Sequence, residues 1–152
     1  MPQHTWSLEE VESQLNQLKN GTLKGTYGVN IVNTVSDLVF KMDLKGKSVL
    51  VIGSERPWLE VIALAAGAGS VTTLEYGEIL SQHPQISTIT PKDFRSAYLE
   101  DKLPLFDAVL SFSSLEHSGL GRCVCYDLIY SNVYIYILII RCYVLSRRSS
   151  YA

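Results

Sequence analysis

The stretch Ser48–Glu75, SVLVIGSERPWLEVIALAAGAGSVTTLE, decides the fold. It reads as a buried strand, a tight turn, a helix and a second strand that ends in an acid. Ser48–Gly53 is rich in valine and isoleucine and bounded by Gly46 and Gly53, which suits a central parallel strand. Pro57 fits the first position of a helix, where its missing N–H costs nothing. That helix runs to about Ala66, where Gly67 and Gly69 end it, and Val71–Glu75 forms the second strand. Such a unit places a nucleotide-like ligand at the carboxyl end of the first strand. A glycine there lets the backbone approach the ligand, and the acid accepts from ribose hydroxyls.

Working outward, two helices precede this unit. Ser7 with Glu10 forms a capping box, and Leu8, Val11, Leu15 and Leu18 recur on one face until Asn20-Gly21 stops the run. A second helix spans about Val29 to Phe40, with Ile31, Val35, Leu38 and Val39 as its apolar side. After the unit come a weaker strand at Ile86–Thr90, a short helix at Pro91–Glu100 and a fourth strand at Phe106–Phe112. Strands alternating with helices predict an α/β fold with a parallel sheet and right-handed crossovers.

The chain has 152 residues, room for one domain and a real core. A net charge of −2 offers no basic footprint for nucleic acid. No charged segment followed by an apolar one opens the chain, so the expected location is cytoplasmic. Cys123, Cys125 and Cys142 match neither a zinc knuckle nor a CxxC redox motif and read as free thiols. No cluster has metal-ligand spacing. His4 and His83 stand alone and read as surface residues.

Candidate ligand contacts gather around the first unit. The turn Gly53-Ser54-Glu55-Arg56-Pro57-Trp58 holds one glycine, not a G-x-G-x-x-G, so it is a cofactor loop or a plain strand-to-helix turn. Glu75 lies 22 residues after Gly53, about the interval expected of a ribose-binding acid. An acid ending an apolar strand must be solvated or paired, and a solvated loop residue is the alternative. Trp58 and Tyr76 flank the expected cleft and either stack on an adenine or belong to core and rim; Asp93 is placed to reach the adenine edge. In FDAVLSFSSLEHSGLGR, Ser113, Ser114, Glu116 and His117 follow the fourth strand into the same crevice. His117 is a candidate general base, unless Glu116 and His117 simply start a helix.

The order VLVIG, LEY, FDAVLSFSSLEH resembles class I S-adenosylmethionine-dependent methyltransferases. More narrowly, GSERPWLEVIALAAGAGSVTTLEYG with SFSSLEHSGLGR resembles an uncharacterised methyltransferase-like family, a domain of unknown function best known from nematodes. The resemblance covers about Tyr27 to Arg122. It implies a Rossmann-like sheet, S-adenosylmethionine as cofactor, Gly53 as the loop glycine and Glu75 as the ribose-binding acid; Ser54 beside Gly53 and Tyr76 beside Glu75 are the further candidate cofactor contacts. It also implies Glu116 and His117 beside the transferred methyl group, and an acceptor substrate of unknown class. The chain departs from the pattern in two places. Ser54-Glu55-Arg56-Pro57 replaces the glycine-rich loop, and the pattern stops at Arg122, where the family continues with further strands.

Three segments are therefore expected: N-terminal helices over 1–45, a partial Rossmann-like domain over 46–122 that is truncated after strand four, and an atypical tail over 123–152. All ten glycines and all five prolines lie at or before Gly121, whereas six of the nine tyrosines follow it. The first reading of the tail is a segment not selected with the domain, such as a retained intron or shifted frame. The second is a membrane anchor through 128–145, although Arg141 interrupts the thirteen-residue run Leu128–Ile140 and a span needs about 20 apolar residues. The third is an added strand. Functionally, the expectation is a methyltransferase-like protein with a shortened sheet and reduced or lost activity, against the alternative of a non-enzymatic binding or membrane-tethered remnant.

Overall fold

A computed structural model describes residues 4–112, and it begins with an element that the sequence periodicity does not announce. This is β1 (His4–Trp6), a three-residue strand that buries Trp6 completely. Ser7 then caps α1 (Leu8–Lys19), its hydroxyl accepting from the Glu10 amide at 3.0 Å. Val11 and Leu18 are buried and Leu15 is packed against the core, while Leu8 lies at the exposed edge of the expected face.

Gly28 opens α2 (Val29–Phe40), whose bounds match the sequence reading and whose buried face matches it at Val35 and Val39. The residues turned inward are Val32, Val35, Ser36 and Val39. Leu38, expected inside, is 36% exposed, and Ile31 packs only at the margin. The apolar periodicity allowed either stripe; Ser36 tips it, because its hydroxyl donates to the Val32 carbonyl at 2.7 Å and so enters the core satisfied.

The decisive stretch folds as β2 (Ser48–Ile52), α3 (Trp58–Ala65) and β3 (Ser70–Leu74). Pro57 is the residue before the helix, not its first. The chain continues through β4 (Ile79–Ser81), β5 (Ile86–Ile89), α4 (Pro91–Leu99) and β6 (Ala108–Ser111). The main sheet has the order β5-β3-β2-β6, every neighbouring pair parallel, while β1 and β4 form a separate parallel pair. From β2 the chain thus steps outward through β3 to β5, then crosses back to lay β6 on the other side of β2. That order is compatible with a Rossmann-like arrangement.

The core explains the odd composition of α3. Its sequence WLEVIALA is apolar all round, as expected of a helix covered on every side. It lies against β2 and β3 on one side and against α1 and α2 on the other, and Trp58 through Ala63 are all buried. Val49, Val51, Val71, Ala108 and Leu110 belong to the same core as Val11, Val32 and Val39. The turns at the amino ends of the strands are backbone-tight: a Cβ on Gly69 would sit 2.9 Å from the Gly46 carbonyl oxygen. Asp107 works at this same end. Its carboxylate accepts from the Ser48 amide at 2.9 Å and fixes β6 beside β2.

His83 corrects the sequence reading. It is buried, not superficial: Nδ1 accepts from the Gln85 amide at 3.2 Å, and Nε2 is 3.7 Å from Glu12 Oε1. An isolated histidine between Gln82 and Pro84 carries no sequence signal for its burial. Among the described residues, no helix is long and apolar enough to cross a membrane. Ser113, Ser114, Glu116, His117 and the tail lie outside the described residues.

Candidate functional site

Parallel strands deliver their carboxyl ends to one rim of the sheet, and the loops leaving them form the site. Gly53 leaves β2 with φ of 73°, a conformation that glycine adopts without steric cost. Its amide donates to the Leu74 carbonyl at 2.9 Å. Glu75, the next residue, stands half-buried at the end of β3, and its amide donates to Ile89 of β5. Gly53 and Glu75, far apart in sequence, are therefore neighbours across adjacent strand ends.

A cleft of about 620 Å³ opens beside Glu75, lined by His4, Glu55, Glu75, Tyr76, Gly77, Glu78 and Ile79. Its volume falls in the range of about 300–1,000 Å³ typical of small-molecule sites. One oxygen of Glu75 accepts from the Tyr76 amide at 2.8 Å, which orients the carboxylate. Tyr76 is 73% exposed and lines the cleft. His4 lines the same cleft from β1, a contribution that no motif signals.

Trp58 takes the core alternative of the two that the sequence leaves open. It is not beside the cleft but in the core, 3% exposed, with its ring edge-on to Phe112 at 5.4 Å and to Tyr27 at 6.2 Å. The apolar surroundings of α3 bury it, so it cannot stack on a ligand. Asp93 sits in the first turn of α4, where Thr90 Oγ1 donates to its carboxylate at 2.9 Å and accepts from its amide at 3.3 Å. Thr90 is the helix cap, and Asp93 is its hydrogen-bond partner in the first turn.

Ser54 faces inward and is buried. Its hydroxyl lies 2.7 Å from the Arg56 carbonyl and 2.9 Å from Glu60 Oε2, so the side chain serves the turn itself. The turn has two further ties. The Trp6 indole N–H donates to the Glu55 carbonyl at 3.2 Å, and the Trp58 amide donates to the Arg56 carbonyl at 2.8 Å.

Glu60 is the residue that sequence reading passed over. It is fully buried in α3, and Thr73 Oγ1 of β3 donates to its Oε1 at 2.7 Å. Burial pushes its carboxyl up from 4.5 to about 7, against the pull of hydrogen bonds led by Thr73; the charge of Glu75 adds to the rise. The signal was present: one acid within WLEVIALA, a helix too apolar to leave any side in water.

Residues 46–145 match the family described as Caenorhabditis protein of unknown function, DUF268. The chain belongs to this family. The DUF268 segment begins just before β2 and includes every strand of the main sheet. It does not stop where the composition changes at Arg122 but runs on to residue 145. Neither a curated protein nor a solved structure matches the chain.

Proposed function

We propose that this DUF268 protein binds S-adenosylmethionine at the carboxyl ends of β2 and β3 and is a methyltransferase-like protein with a Rossmann-like sheet. The observation that carries this reading is the pairing of Gly53 with Glu75 at adjacent strand ends, beside the point where the strand order turns back across β2. Ligands of open parallel sheets bind at such a point. The donor set fits the cofactor. Glu75 accepts from the ribose hydroxyls, Tyr76 offers an exposed ring to the adenine, and the carboxylates of Glu55 and Glu78 suit a cationic sulfonium and ammonium. S-adenosylmethionine supplies an activated methyl group; the chain's part is to hold and orient it. By resemblance, Glu116 and His117 stand beside the transferred methyl.

Calorimetric titration of the full chain with S-adenosylmethionine, beside Glu75→Ala, tests the reading. Loss of the ribose acceptor is expected to weaken binding by about 1–3 kcal/mol, roughly 5- to 150-fold. Equal affinity for both proteins sinks the assignment. Incorporation of labelled methyl into an acceptor panel separates an enzyme from a binding protein.

A further inference from the structure

We propose that Glu60 is a proton-held latch on the turn 53–57: as a neutral acid it fixes the turn onto β3, and loss of its proton loosens the turn and one wall of the cleft. As a statement about the cleft's regulation, it rests on the ligand reading above; as a statement about the turn, it does not.

A count of protons carries the inference. Ser54 Oγ lies within hydrogen-bond distance of two oxygens, the Arg56 carbonyl and Glu60 Oε2. A serine hydroxyl has one proton and a carbonyl can only accept. If Glu60 is ionised, that single proton must be shared between two acceptors. If Glu60 carries a proton on Oε2, it donates to Ser54, Ser54 donates to Arg56, and Thr73 donates to Oε1. The neutral form therefore gives each of these oxygen–oxygen contacts a proton of its own, whereas the ionised form leaves one of the two Ser54 contacts without one.

The chain of bonds runs from β3 through α3 to the turn. Thr73 lies two residues before Glu75, and Glu55, between Ser54 and Arg56, lines the cleft. Ionisation draws the Ser54 proton toward the carboxylate and leaves the Arg56 carbonyl to the Trp58 amide. The groups acting on Glu60 are the hydroxyls of Ser54 and Thr73, its own backbone and the charge of Glu75. No cation from α1, α2, β2 or β3 is among them to hold an ionised form, among the described residues. A turn fixed at low pH and looser at high pH follows.

The test needs no ligand, so its failure is distinct from that of the cofactor reading. Carboxyl-labelled glutamate in the full chain, followed by NMR, should give one signal that titrates near neutral pH and is lost in Glu60→Gln. The amide of glutamine can donate to Ser54 and its carbonyl can accept from Thr73, so this variant imitates the neutral acid at every pH. Amide-exchange protection at Gly53 and Trp58, whose amides donate to the Leu74 and Arg56 carbonyls, should fall about tenfold between pH 6 and 8 in the wild type and stay flat in Glu60→Gln. If that variant does not fold, the wild-type titration and protection profile decide. A Glu60 signal that titrates in the ordinary carboxylate range, or protection at Gly53 and Trp58 that ignores its titration, overturns the proposal.

Discussion

The turn after β2 ties Ser54 and its backbone carbonyls inward, with only the Glu55 and Arg56 side chains exposed, whereas the turn after β3 stands in solvent. In the first, Ser54 is buried, the Glu55 carbonyl accepts from Trp6 and the Arg56 carbonyl accepts from Ser54 and Trp58. In the second, Tyr76 is largely exposed, and a Cβ on Gly77 would meet nothing within 4 Å. One wall of the cleft is thus an extension of the core and the other is a surface loop. A site made this way fixes the backbone approach to a ligand on one side and leaves contacts that can be exchanged on the other.

The contrast breaks most visibly at Trp58. Removing that ring from its contacts with Tyr27 and Phe112 in Trp58→Ala should cost about 3–5 kcal/mol in urea denaturation. A cost below about 1 kcal/mol would mean that the turn is not anchored in the core at all. The pH dependence comes next. Glu60 has a carboxyl raised from 4.5 to about 7 in the folded chain, so the native state binds the extra proton between those values. Its stabilising contribution is complete below about 4.5, falls as pH rises and is gone above about 7. Relative to Glu60→Gln, the wild type should lose about 3 kcal/mol across that window; parallel stability curves for the two proteins would remove Glu60 from the account. The smallest effect belongs to the open wall. Tyr76→Ala should change stability by no more than about 0.5 kcal/mol while weakening S-adenosylmethionine binding, and a large loss of stability would erase the distinction between the two turns.

The long periodic elements were legible in the sequence. α1, α2 and the β2–α3–β3 unit stand within a residue or two of their expected bounds, because capping at Ser7, valine-rich runs and glycine stops act locally. β1 and β4 were not legible. Three-residue strands have too few positions for a period, and their pairing depends on a partner some seventy-five residues away. Of the site, the adjacency of Gly53 and Glu75 followed from spacing and strand order. The roles of Ser54, Asp93 and Trp58 did not, since each depends on whether a side chain turns in or out at a loop. Glu60 was visible only as a conflict between a charge and its apolar helix, and resolving it required knowing that Thr73 and Ser54 converge there.

The chain holds two tryptophans, and both are fastened to the turn 53–57, Trp6 through its indole N–H and Trp58 through its backbone amide. Indole emission is sensitive to what its N–H touches and to the polarity around the ring. The protein therefore has a built-in optical gauge at the wall of its cleft, with no third tryptophan elsewhere to blur the reading. Any compound, proton or partner that moves this turn should change the colour or brightness of the protein's own fluorescence, so that candidate ligands can be screened on the unlabelled chain.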